Sequence, residues 1–324
     1  MDFEQNIVHQ VLGLSASKKI FYKNDPLYED TVLDIPKDAE LVILNHCYAN
    51  NHTLQQYNLL KDKVLNKDFA LLTSNYWYYK NKHENIIYFP YYYFHFLTLP
   101  LQKFDIQNTR PYSLMCFNLN PWLHRTVNLL AMSKKKWFND CKLSFHWGYN
   151  LPHYNTTNII TDTLTRLSDE QRLELSQFNL PIIIEDDWDC NGNFYVPNTS
   201  HFYSSTYINY VTENSCHQEF ITEKTWKPIF SGQLFYVLGS LNIIEHLRDL
   251  GLDVFDDIFN HSYDYENDIP TKIDLILADL DRVMEMDLDR VWQETSLRRK
   301  RNLDLVYSQD FKNMLANDLI KKVS

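Results

Sequence analysis

Apolar residues in this chain change period several times, and the changes mark out alternating strands and helices. Glu40–Leu44 is a short apolar run, Thr53–Val64 has helical spacing, and Phe69–Leu72 and Asn85–Phe89 are strand-like again. Strands alternating with a helix predict a small α/β domain. Tyr112–Phe117 then reads as the first strand of a second Rossmann-like domain, with Trp122–Met132 as its helix. A strand-like Leu-Ser-Phe-His-Trp at 143–147, a helix at Asp169–Ser176 and an apolar run at Leu180–Ile184 follow. The aromatic run Phe89–Pro100 has no period that assigns it to either class; it fits packing at a domain boundary or a segment over an acceptor.

Residues 206–240 carry the clearest pattern. Thr206–Val211 is β-branched and aromatic, as a strand requires, and Thr212-Glu213-Asn214-Ser215 then leaves the sheet. Thr222 suits an N-cap, Glu223 and Lys224 fall in the first helical turn, and Trp226, Ile229 and Phe230 make an apolar face. Gly232 closes this helix, and Leu234–Leu238 is a continuous apolar run, as in a strand buried on both faces of a parallel sheet. The prediction is a strand–helix–strand unit with a right-handed crossover. Its helix N-terminus favours an anion, Lys224 adds a full charge for a diphosphate, and Glu223 can accept from a ribose hydroxyl pair. An ordinary capped helix with a solvated charge pair accounts for the same spacing.

Beyond Ser240, Ile243, Ile244, Leu247 and Leu250 share a helix face that stops at Gly251. Helical patterns cover Lys272–Met284 and Asp287–Lys322. The basic run Arg298-Arg299-Lys300-Arg301 is expected on a solvated face, and it is where an anionic acceptor such as DNA would find its footing.

The 324 residues allow two domains, divided near Asn108: 1–108, 109–300 and a C-terminal helix over 301–324. A net charge of −11 argues against broad binding to nucleic acid or to a membrane surface. Five scattered cysteines without a CxxC pair, and no run of apolar residues long enough to span a bilayer, predict a cytoplasmic chain free of disulfides, in the host cytoplasm if the chain is viral. Aromatic residues, 15% of the chain, are expected chiefly in the core. Walker, GxGxxG and HExxH motifs are absent, which disfavours an NTPase, a dehydrogenase and a zincin. Asp187-x-Asp189 follows a buried run and imitates the metal-holding DxD of GT-A glycosyltransferases, with an acidic loop as the alternative.

ENS, five residues, then ITEKTW and an apolar strand ending in Gly-Ser resembles the donor signature of the α1,3-fucosyltransferase family. The segment 118–132, NLNPWLHRTVNLLAM, is similar to the strand and helix that carry that family's phosphate-contacting Arg. The resemblance implies a GT-B fold: two Rossmann-like domains with a cleft between them and a C-terminal helix that crosses back onto the first. It assigns ribose to Glu223 and diphosphate to Lys224 and Arg125, and makes Glu213, Asn214 and Thr222 donor-site residues, with no cofactor. TEKTWKP also resembles phage and large-virus glycosyltransferase-like proteins, so the motif specifies a nucleotide-sugar more firmly than fucose.

The expected function is metal-independent sugar transfer from a nucleotide-sugar to a glycan, a small molecule or a hydroxymethylated DNA base. A non-catalytic nucleotide-sugar module is the alternative. The family's base is a Glu in a loop corresponding to residues 73–82, TSNYWYYKNK, which hold no carboxylate. Glu84 beside it, and His46 and His52 on the loop after the first strand, are the remaining base candidates.

Overall fold

The computed structural model describes residues 20–24, 35, 37–46, 57–58, 61, 68–97, 110–118, 120–147, 156–182 and 202–323. Its strands are β1 (Ile20–Asn24), β2 (Leu41–His46), β3 (Asp68–Thr73), β4 (Ile86–Tyr88), β5 (Tyr112–Asn118), β6 (Lys142–Phe145), β7 (Thr206–Thr212) and β8 (Leu234–Leu238). The helices over the first part of the chain are α1 (Trp77–Lys80), α2 (Tyr91–Leu97), α3 (Leu123–Ser133), α4 (Thr156–Arg166), α5 (Asp169–Ser176) and α6 (Phe202–Ser205). Those that follow are α7 (Glu223–Phe230), α8 (Ile243–Asp249), α9 (Ile269–Met284), α10 (Leu288–Glu294), α11 (Ser296–Tyr307) and α12 (Gln309–Val323).

The architecture is α/β, with two four-stranded sheets whose named pairs are all parallel. Two compact units form: Met1–Pro100 with His217–Glu223 and Asp304–Ser324, and Leu101–Cys216 with Lys224–Leu303.

The first unit carries the sheet β1-β2-β3-β4. Leu41–Leu44 and Ala70–Leu72 are fully buried, as expected of central strands covered on both faces. Strand β1 has no counterpart in the sequence reading, and the helix read over Thr53–Val64 is described only at Tyr57, Asn58 and Lys61. The aromatic run becomes α2, with Tyr93, Phe94 and Phe96 fully buried. Tyr93 donates to Val306 O at 2.7 Å and meets Phe311 edge-on at 5.2 Å. Lys322 pairs with Asp68 at 2.6 Å and Lys82 with Asp318 at 2.5 Å, so residues 304–323 lie on this unit.

In the second unit the order is β6-β5-β7-β8. Every residue of β7 and β8 is buried, which explains their unbroken apolar character. Helix α7 ends at Gly232, whose φ of 61° suits a residue without Cβ. Helix α9 packs on α3 and against β8.

The pattern read as one helix over Asp287–Lys322 is three, α10, α11 and α12. Its basic run is a solvated face only in part: Lys300 and Arg301 are exposed, whereas Arg298 and Arg299 are drawn into the protein. Arg299 is fully buried, donating to Gly232 O at 3.1 Å and Trp292 O at 2.7 Å, with its guanidinium 3.2 Å from the centre of the Trp292 ring. Burial, and then the neighbouring Arg110, push its pKa down to about 9. Arg298 is held between Asp253 and Asp257, at 2.5 and 2.7 Å. Burial alone would raise the Asp253 pKa, but the hydrogen bonds from Arg298 and from Phe255 N–H bring it below the ordinary value. For Asp257 the Arg298 hydrogen bond is the leading cause of the same downward shift.

Because both carboxylates have lower pKa values folded than unfolded, their contribution is complete above the ordinary Asp value of about 3.9. It is lost as pH falls through the lower folded values. Arg298→Ala is therefore expected to lower the urea midpoint at pH 7, and its deficit against the wild type should shrink towards about pH 3. A deficit independent of pH would contradict this account.

Candidate functional site

In an open parallel sheet the crevice for a ligand lies outside the carboxyl ends of the strands, where successive connections leave in opposite directions. In the second unit that point falls between β5 and β7, since β6 lies on one side of β5 and β7 and β8 on the other. The β5 exit is Asn118–Trp122, and the β7 exit is Glu213–Cys216.

One buried cation joins these exits. Arg125, in the first turn of α3, is fully buried. Its guanidinium donates to Asn120 O at 3.2 Å, Thr212 O at 2.9 Å, Glu213 O at 3.0 Å and Asn214 Oδ1 at 3.0 Å. The planar fork of an arginine suits this, because several fixed donors reach acceptors on both loops at once. Beside it, His124 Nε2–H donates to Glu213 O at 2.9 Å. Across the strand ends the Thr212 hydroxyl donates to Asn118 Oδ1. The acceptors that Arg125 meets here are protein groups of the two exits, whereas the resemblance assigned it a diphosphate.

Glu213 likewise points inward. It is buried; Oε1 accepts from Thr225 Oγ1 at 2.6 Å, and Oε2 from Asn214 N at 3.3 Å. This carboxylate ties the β7 exit to α7. The glycine at the end of β8 has its reason here too, because a Cβ on Gly239 would stand 3.4 Å from Glu213 Cγ and 3.1 Å from Ile243 Cδ1. Lys272, on α9, is buried and donates to Gly239 O at 3.0 Å. Burial lowers its pKa, opposed by Cys216, Asp264 and Glu266.

Asn214 and Lys224 remain partly open to solvent, as does Glu223 at the start of α7. Thr222, immediately before α7, is fully buried. In the first unit β2 ends at His46, which pairs in register with Thr73. Glu84 is exposed and precedes β4, whose Ile86 pairs with Leu71, so it stands towards the amino end of that parallel sheet. The structure therefore does not bring Glu84 to the carboxyl edge where loop 73–77 lies. His52, Asp187 and Asp189 lie outside the described residues. Among the described residues no group of three or more His, Cys, Asp or Glu side chains could hold a metal ion, and no helix is long and apolar enough to cross a membrane.

The sequence reading missed His124, Thr225, Lys272 and His146. His146, next to the end of β6, is buried and its pKa is pushed down to about 4 by desolvation, so its imidazole is neutral at pH 7. The i, i+1 pair His124-Arg125 at a helix start was the available signal for the first. No protein-family model matches the sequence, and no curated protein matches it.

Arg125→Ala removes the donors of four acceptors at the strand ends and is expected to cost about 3 kcal/mol in urea unfolding. Hydrogen exchange at 213–216 should quicken in the same variant, and unchanged exchange there would show that Arg125 does not hold the loop.

Proposed function

We propose that the chain is a glycosyltransferase of the GT-B type, moving a sugar from a nucleotide-diphosphate sugar to an acceptor hydroxyl without a metal. The observation that carries this reading is the buried Arg125 fork. It fixes the β7 exit at the switch point of a parallel sheet, while Asn214 on that exit and Lys224 in the first turn of α7 are half-buried. A rigid loop followed by a helix start with a lysine in its first turn suits a diphosphate, which gains from backbone N–H groups and a full positive charge together. Charge that grows on the leaving diphosphate is stabilised by groups already in place, which is how such sites lower a barrier.

In this reading Lys224 contacts the diphosphate, Glu223 accepts from the ribose hydroxyls and Asn214 offers its amide. Arg125 and Glu213 act through the loop, which they hold in shape. The resemblance to the α1,3-fucosyltransferases supports the donor class, and the ITEKTW segment supports a nucleotide-sugar whichever sugar it carries. With Arg299 buried and Arg298 ion-paired, the basic run supplies two fewer cations to a DNA acceptor than its sequence suggests.

Thermal unfolding with UDP-glucose, GDP-mannose and GDP-fucose tests the donor site. A bound donor at 100 times its Kd should add about 2.7 kcal/mol of stability. Lys224→Ala should abolish that gain while unfolding as cooperatively as the wild type. Equal stabilisation of variant and wild type would remove Lys224 from the site, and release of nucleoside diphosphate separates an enzyme from a binding module.

A further inference from the structure

The β5 and β7 exits that border the crevice at the switch point both belong to the second unit. On the β5 exit the main-chain carbonyls find donors. Asn118 O accepts from His146 N at 3.0 Å, and Asn120 O from Trp122 N at 2.9 Å and from Arg125 Nη1 at 3.2 Å. Pro121 O accepts from Thr163 Oγ1 at 2.8 Å, and Trp122 O from Thr126 N at 2.9 Å. The Asn118 side chain is met as well, by the Thr212 hydroxyl.

Two side-chain atoms of the same loop are not met. Asn120 Oδ1 and Trp122 Nε1 are both closed off from solvent, and neither has a hydrogen-bond partner among the described residues. Asn120 is 6% exposed, so water cannot serve it freely. Leaving buried polar atoms unmet is costly, and a folded chain keeps few of them without a reason in its function. One of these atoms accepts and the other donates, two residues apart, yet they are not joined to each other. A hydroxyl can satisfy both, because it donates and accepts through one oxygen. A diphosphate at neutral pH offers acceptors alone, which serves the indole N–H and leaves Asn120 Oδ1 unmet.

From these two atoms on the β5 exit, we propose that Asn120 and Trp122 select the transferred sugar by reading one of its hydroxyls. Asn120 Oδ1 accepts from that hydroxyl, and Trp122 Nε1–H donates to it. The inference rests on the glycosyltransfer reading above. The sugar is bonded directly to the donor's diphosphate, so the groups that select it belong beside the diphosphate site. Arg125 holds the two exits together, donating to Asn120 O on one and to Thr212 O and Glu213 O at the other. Lys224 then holds what all nucleotide-sugars share, and the β5 exit distinguishes among them. Such a pair discriminates well, because a sugar lacking the hydroxyl leaves two buried groups unpaired.

The test takes dissociation constants from ligand-induced thermal stabilisation of the full chain. UDP-glucose, UDP-galactose and UDP-xylose are compared with UDP, and GDP-mannose and GDP-fucose with GDP, in the wild type, Trp122→Phe and Asn120→Ala. The wild type should separate sugars carried on one nucleotide by about 10-fold or more, the worth of one hydrogen bond. Each variant should shrink that separation by about 10-fold while its affinity for the bare nucleotide stays within about 3-fold of wild type. An unchanged separation in both variants overturns the proposal, and is the result expected if an ordered water alone serves these atoms. An equal loss of affinity for bare nucleotide and nucleotide-sugar overturns it too, since the two atoms then meet the nucleotide. If Asn120→Ala does not fold, Trp122→Phe, which keeps an aromatic ring, decides alone. A wild type that binds nucleotides but does not separate the sugars overturns the proposal while the nucleotide site stands. A wild type that no nucleotide or nucleotide-sugar stabilises removes the glycosyltransfer reading itself.

Discussion

The second unit depends on a cation where a cation is expensive. The Arg125 guanidinium has no exposed area, and removing such a group from water costs several kcal/mol unless its donors are satisfied. Here the acceptors are carbonyls that strand geometry leaves over: Thr212 O and Glu213 O at the end of β7, and Asn120 O at the exit of β5. The two η nitrogens and these carbonyls satisfy one another, since a buried carbonyl without a donor is itself costly. With Glu213 O fixed, its carboxylate can reach Thr225, and so orient the helix that bears Lys224. Gly239 completes the arrangement by lacking the atom that would crowd Glu213.

The same use of positive charge recurs elsewhere in that unit. Arg110 donates to Tyr203 O and Thr206 O, its guanidinium lies 3.9 Å from the centre of the Trp292 ring, and Arg299 lies against that same ring. Lys272 serves Gly239 O, and Arg298 serves two aspartates. In a chain with a net charge of −11, cations committed to interior carbonyls leave the surface more acidic than composition alone conveys. A polyanion meets little attraction on such a surface, so a phosphate ligand has to be met at specific donors instead of by a general field.

Period and turn chemistry made much of the fold legible. Leu234–Leu238 is the strand its apolar run indicates, Asp169–Ser176 is the helix expected there, and Gly232 closes α7. The misses have physical causes. Phe89–Pro100 was unreadable because nearly every position of α2 is buried, which erases the polar face that defines a period. The run 298–301 misled at Arg298 because charge in sequence does not reveal whether acidic partners, here Asp253 and Asp257, lie opposite. For the candidate site, the sequence located the β7 exit and the start of α7, while it read Arg125 as a diphosphate contact and gave no sign of its acceptors on the β5 and β7 exits. The bridge of Phe220 to Asn75 was invisible because it is non-local, and spacing along the chain carries no trace of such a contact.

The first unit is assembled from three separated stretches, and its last contribution is residues 304–323. Tyr93 finds its acceptor at Val306 and its ring partner at Phe311, and Asp68 its counter-charge at Lys322. A ribosome that has emitted only the first hundred residues has therefore released a sheet lacking part of its cover. That sheet must wait through synthesis of the whole second unit before its packing is complete, and during that interval its aromatic surface is open to non-native contacts.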